Sequence, residues 1–270
     1  MTIGQAILLG IFQGLTEFLP ISSSGHLALL GQVVGLKEPD LTFNVMVHFG
    51  TLIAVVSALW SEVVLMFHGL QRFTETNVET VRMGRRLLSL IVIGTIPAAV
   101  VGLLAKDFVE KLFGSVVLVG IALLLTGGLL WWAEGRADQG KGLDEMLPKD
   151  ALQIGAWQAV ALIPGISRSG TTISAGLYQG FNRVDAARFS FLLSVPTIAG
   201  AVILESRGVF AAVSGGTWGP IAAGTLTAAV TGFLTIKGML QLVKSHSLRV
   251  FSYYTWVIGL TVLILTRFLR

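Results

Sequence analysis

Six apolar stretches, each long enough to cross roughly 30 Å of hydrocarbon, recur along the chain at about 43–66, 87–105, 115–133, 189–205, 219–236 and 251–267. Only helices and closed barrels satisfy their backbone hydrogen bonds in lipid, and stretches of this length predict helices. Composition agrees: 53% of the 270 residues are hydrophobic and 13% are charged, about half the charge of a soluble domain. The formal charge of +4 fits Lys and Arg gathered in cytoplasmic loops. No basic stripe with interleaved aromatics points to nucleic acid, and none is expected as a partner. The absence of cysteine excludes disulfides and thiolate metal sites. The first positive side chain is Lys37, so the N-terminus lacks the basic region of a cleaved signal peptide.

Two further apolar segments, roughly 3–35 and 151–181, are interrupted. One breaks at Leu19-Pro20-Ile21-Ser22-Ser23-Ser24-Gly25, the other at Pro164-Gly165-Ile166-Ser167-Arg168-Ser169-Gly170. Proline and glycine end helices there, and each arm is too short to span. Such segments predict re-entrant helical hairpins whose loops are buried in protein or line a wet cavity.

The two broken segments resemble each other. An offset of 145 aligns Gly10 with Gly155, Gln13 with Gln158, Ser22 with Ser167, Ser24 with Ser169 and Gly25 with Gly170. A second match at offset 130 pairs Gly94-Thr95-Ile96-Pro97-Ala98-Ala99-Val100-Val101-Gly102 with Gly224-Thr225-Leu226-Thr227-Ala228-Ala229-Val230-Thr231-Gly232. The expected architecture is a single all-α membrane domain. It holds six transmembrane helices and two re-entrant hairpins, repeated over 1–133 and 151–270. Three spans per half is an odd number, so the halves enter the membrane oppositely, as an inverted repeat. Loop charge orients it. Arg72, Arg82, Arg85, Arg86, Arg136, Lys141, Lys149, Arg183, Arg188, Lys237, Lys244 and Arg249 fall on one side, against Lys37, Lys106, Lys111, Arg207, Arg267 and Arg270. The richer side is expected in the cytoplasm, with both termini outside. Acidic residues of the 134–150 connection, Asp138 among them, weigh little in that rule.

Charge at membrane depth is costly and marks function. Glu17, His26 and Arg168 all lie at or beside the breaks. Gln13 and Glu17, four apart, project from one helix face. Ser22, Ser23 and Ser24 follow, then Gly25 and His26, so a carboxylate, hydroxyls and an imidazole gather at one discontinuity. A Gly-containing loop entering a helix offers N–H groups to an anion, and Arg168 adds a planar fork of donors suited to phosphate. Ser167, Ser169, Gly170 and Thr172 would complete that cradle. Each residue also has a structural reading: Gln13 and Glu17 as hairpin braces, Ser22 and Ser167 as helix N-caps, Arg168 as a counter-ion. His48 is read as facing a neighbouring helix and His68 as marking a span end.

Gln13-Gly14-Leu15-Thr16-Glu17-Phe18-Leu19-Pro20 with Ser22-Ser23-Ser24-Gly25-His26 resembles the first signature of the bacterial undecaprenyl-diphosphate phosphatases, also called bacitracin-resistance proteins. Pro164-Gly165-Ile166-Ser167-Arg168-Ser169-Gly170-Thr171-Thr172 resembles their second signature. The resemblance implies conversion of undecaprenyl diphosphate to undecaprenyl phosphate and inorganic phosphate, recycling the carrier for cell-wall synthesis. It also implies a multi-pass protein of the bacterial plasma membrane with its site on the periplasmic side, assisted by Mg2+ or Ca2+. Glu17, Ser23, His26 and Arg168 fall on the family's functional positions, with Gln13, Ser22, Ser24, Ser167, Ser169, Gly170 and Thr172 as supporting phosphate contacts. Gln13 stands where a second carboxylate is usual, which leaves Glu17 as the metal-binding carboxylate.

On this reading the partners are the lipid substrate and the bilayer, with a second copy admitted as a homodimer. Ser23 attacks the terminal phosphorus with His26 as base and Glu17 orienting the imidazole or assisting a metal. His26 as nucleophile is the alternative. The competing function is a polyprenyl-phosphate transporter, or a protein doing both, because inverted repeats with broken helices are also a transporter's plan.

Overall fold

The computed structural model describes residues 1–33, 41–72, 78–105, 112, 115–136, 140–213 and 218–268, with 205–213 as backbone alone. Of the charges used above to orient the chain, Lys37, Lys106, Lys111, Asp138 and Arg270 lie outside these residues. Eleven α-helices are described: α1 Ile3–Phe18, α2 Ser23–Val33, α3 Leu41–Ala58, α4 Trp60–His68, α5 Val78–Leu104, α6 Val116–Glu134, α7 Pro148–Val160, α8 Arg168–Tyr178, α9 Arg183–Val213, α10 Trp218–Leu242 and α11 Arg249–Phe268. Six of them, α3, α5, α6, α9 over Arg183–Leu204, α10 and α11, are long and apolar enough to cross a membrane.

Sequence and structure differ at two span ends. The stretch 43–66, read as one span, is two helices, because Leu59 leaves helical geometry at φ −112° and ψ 38°. α4 then turns to pack against α5. In α5 the helix begins at Val78, ahead of the expected 87. Its first turns carry Glu79, Arg82, Arg85 and Arg86; helix geometry continues through charged residues where hydropathy falls.

Both interrupted segments are helix, break, helix. Thr2 and Gln5 cap α1 reciprocally. α1 stops at Phe18 because Leu19 precedes Pro20, which pushes it into extended backbone at φ −72° and ψ 143°. α7 ends at Val160 and α8 begins at Arg168. Between them Gly165 takes φ +90°, and a β-carbon there would lie 2.8 Å from the Val119 backbone.

α1 lies along α10, and α7 lies along α5. In each pair a glycine opens the contact: a β-carbon on Gly10 would strike the Gly224 carbonyl oxygen, and one on Gly155 would strike that of Gly94. These four are among the glycines that the sequence offsets match. α6 packs along α11, and α3 against α9 and α10. In lipid such close backbone approach, not hydrophobic transfer, drives helix association. Phe18, Ile173, Leu177, Phe189, Phe191 and Leu192 form the interior beneath the breaks. Val92, Leu125, Leu226, Leu234 and Ile264 are exposed on the outside, a surface suited to acyl chains.

Candidate active site

The first break is shaped by Ser22, which adopts φ 72°, a left-handed conformation uncommon for a residue with a side chain. Its hydroxyl accepts the Gly25 N–H at 3.3 Å. Its carbonyl accepts the His26 backbone N–H at 3.2 Å and the His26 Nδ1 proton at 2.8 Å. Nδ1 therefore carries the proton, and Nε2 faces the Tyr254 hydroxyl at 2.8 Å. At the second break Ser167 caps α8, accepting the Gly170 N–H at 3.0 Å. The two loops touch: Gly165 N–H donates to Ser24 Oγ at 3.4 Å, and Ser169 Oγ donates to the Leu19 carbonyl at 3.0 Å.

Glu17 is the centre. One carboxylate oxygen accepts Arg168 Nη2 at 2.6 Å. The other accepts Ser23 Oγ at 2.7 Å and Gln13 Nε2 at 3.0 Å, with His48 Nε2 at 3.7 Å. Glu17 is 7% exposed and the Arg168 side chain 15%, so the pair sits in a medium where a lone charge is expensive. Arg168 also donates to the Ser190 carbonyl at 3.2 Å, which holds its guanidinium beside the break. A hydroxyl, a carboxylate and a guanidinium are thus joined through one residue.

Two features add to what the sequence shows. The phosphate cradle of the second loop is turned inward. Ser167, Ser169 and Thr172 are each 1% exposed, and the Gly170 N–H is occupied by Ser167. The Thr172 and Ser190 hydroxyls are 2.6 Å apart. Ser169 bonds the other loop, Ser167 its own, and Thr172 the start of α8 and Ser190 on α9, because each buried polar atom needs a partner. Ser22 is likewise buried, whereas Ser23, Ser24 and Arg168 retain accessible surface. The second concerns His26: its ring nitrogens meet Ser22 and Tyr254, and the Ser23 hydroxyl donates its hydrogen bond to Glu17.

The neighbours that sequence reading missed are His48 and Tyr254. The signal for His48 was present, since an ionisable side chain inside a span is itself notable, but its spacing does not reveal that it faces Glu17. For Tyr254 no local signal exists.

Among the described residues no group of three or more His, Cys, Asp or Glu side chains is placed to hold a metal. Yet Gln13 Oε1 and Asn44 Oδ1 are buried without a hydrogen-bond partner. Gln13 sits one helical turn before Glu17, and Asn44 one turn before His48. Hard oxygen donors of this kind suit Mg2+ or Ca2+.

Comparison with known proteins gives concordant results. The model of the family described as bacitracin resistance protein BacA matches residues 6–261. A protein of Halothermothrix orenii named undecaprenyl-diphosphatase is 44% identical over 271 residues, covering 98% of both chains. One of Desulforapulum autotrophicum with the same name is 44% identical over 96% of this chain and 97% of its own. Undecaprenyl-diphosphatase 3 of Bacillus cereus is 42% identical over 97% of this chain and 96% of its own.

Proposed function

The chain belongs to the bacitracin resistance protein BacA family, and on that premise we propose that the Glu17–Arg168 pocket hydrolyses undecaprenyl diphosphate to undecaprenyl phosphate and inorganic phosphate. The observation that carries this reading is the Glu17 carboxylate, shared between the Ser23 hydroxyl and the Arg168 guanidinium. The terminal phosphate competes with Glu17 for Arg168, which then offsets charge on the reacting phosphoryl group. Ser23 Oγ bonds to that phosphorus and gives its proton to Glu17. The bond to the bridging oxygen breaks, and undecaprenyl phosphate leaves. Water then attacks the phosphoserine phosphorus and loses a proton to His26 Nε2, which carries none while the proton is on Nδ1. The Ser23 Oγ–P bond breaks, Glu17 returns its proton to Ser23 Oγ, and inorganic phosphate leaves. Ser24 is the remaining accessible phosphate contact.

Glu17, Gln13 and Asn44 are the residues that would hold a divalent cation, which when bound neutralises part of the diphosphate charge. The two broken segments are read as re-entrant hairpins of an inverted repeat, with halves at 1–133 and 151–270. The equivalent Gly10–Gly224 and Gly155–Gly94 contacts support this. The excess of Lys and Arg around the 68–86 and 237–249 connections favours those loops as cytoplasmic. The pocket would then open to the periplasmic face of the bacterial plasma membrane, with the prenyl tail lying among lipid-facing helices.

The test is phosphate release from undecaprenyl diphosphate by purified protein in detergent, for wild type, Glu17→Ala and Arg168→Ala. Release by wild type, lost by about 100-fold or more in each variant, is expected. A protein that only transports would release none, and equal rates in the three proteins would remove the site. Phosphoenzyme trapped on histidine in Ser23→Ala would instead make His26 the nucleophile.

A further inference from the structure

The geometry points to Tyr254, on α11, as the positioning residue that keeps His26 ready to accept a proton. The inference rests on the proposed role of His26 in activating water.

Three contacts define the imidazole. The left-handed turn at Ser22 aims its carbonyl at Nδ1, 2.8 Å away. A carbonyl only accepts, so the proton belongs on Nδ1. The Tyr254 hydroxyl lies 2.8 Å from Nε2, and with neutral imidazole it donates there. The rings are stacked at 11° with centroids 5.6 Å apart, an offset arrangement within the favourable range for aromatic pairs. Tyr254 therefore restrains the ring plane and holds Nε2, whose tautomer the Ser22 carbonyl sets, in a fixed direction.

Its hydroxyl also marks a position at hydrogen-bond distance from Nε2, the position an attacking water oxygen would occupy. His26 is 7% exposed and Tyr254 40% exposed, so the tyrosine is the side of the pair that can yield. The two lie 228 positions apart, one in each half of the chain. The first half's imidazole is thus completed by a side chain from the last helix. Tyr254 forms no bond to substrate in this scheme; it acts only through His26.

The experiment measures kcat and KM for phosphate release in detergent by wild type, Tyr254→Phe, His26→Gln and the double variant. Tyr254→Phe keeps the ring and removes the hydroxyl; it should lower kcat about tenfold with KM within about twofold. His26→Gln should lower kcat about 100-fold or more, and adding Tyr254→Phe should then change it by less than about twofold. The inference is overturned if Tyr254→Phe retains wild-type kcat, if it costs the same factor in both backgrounds, or if it raises KM alone. Wild-type kcat in His26→Gln would sink the role of His26 itself, a result separable from failure of Tyr254. An independent readout is the 15N spectrum of the His26 imidazole in folded protein. It should report the Nδ1-protonated tautomer in both proteins, with the Nε2 resonance shifted in Tyr254→Phe by loss of the hydroxyl hydrogen bond; identical spectra would count against the assignment whatever the rates.

Discussion

Arg168 Nη2 donates to Glu17 Oε1 across 2.6 Å, joining side chains 151 positions apart in the chain. Each stands at one of the two helix breaks, so the ion pair forms only when both broken segments meet.

Removing one partner of this pair leaves a buried charge. Arg168→Ala should cost about 3–5 kcal/mol of stability as well as activity. Adding Glu17→Gln should recover much of the melting temperature and none of the phosphate release. A double variant as unstable as Arg168→Ala would show that the pair does not carry the loss.

Gln13 offers an amide oxygen where a carboxylate would bind a cation more strongly. Gln13→Glu should therefore lower the Mg2+ or Ca2+ concentration needed for half-maximal activity by several-fold, because an added carboxylate strengthens binding of a hard cation. Asn44→Ala should raise it. Titration of activity and of thermal stability against cation reads both changes, and unaltered titrations would argue against these ligands.

The glycine contacts make equal demands in the two halves. Gly10→Val and Gly155→Val should each destabilise the protein by about 1–3 kcal/mol, the usual cost of overpacking, seen as lower melting temperatures in detergent. The same substitution at Gly128, where nothing lies within 4 Å of an added β-carbon, should be tolerated. Equal melting temperatures across the three would show that the close contacts are unimportant.

At the start of α7, Asp150 accepts Lys141 Nζ at 2.7 Å and the Leu147 N–H at 3.0 Å. Burial pushes its carboxyl up, but the Lys141 and Leu147 hydrogen bonds and the charges of Lys141 and Lys149 outweigh it, so the group titrates below the usual range. A carboxyl lowered on folding contributes stability above its unfolded value of about 3.9. That contribution fades as pH falls through the folded value. Asp150→Asn should lower the melting temperature at pH 7, with the difference from wild type shrinking as pH drops below about 4. A difference independent of pH would assign the effect to helix capping alone.

Much of the architecture was legible because its signals are local. Apolar length announced the six crossing helices. Pro20, Pro164 and the adjoining glycines announced both breaks, and Gln13 with Glu17 lay on one face by helical spacing. The 43–66 stretch was misread because hydropathy is blind to a backbone turn at Leu59 that docks α4 on α5. Likewise the burial of Ser167, Ser169 and Thr172 was not legible, since composition does not say which hydroxyls find partners inside the protein.

Apolar length, the paired breaks and the two motifs specify a helical membrane protein with two kinked, polar segments and the family to which they point. That Glu17 faces Arg168 and Ser23, that His48 stands beside it and that Tyr254 meets His26 emerge only once the helices pack. Helical periodicity relates residues three or four apart, whereas these pairings arise from where separate helices pack. Which glycine meets which backbone sets that placement, and the chemistry of the pocket follows from it.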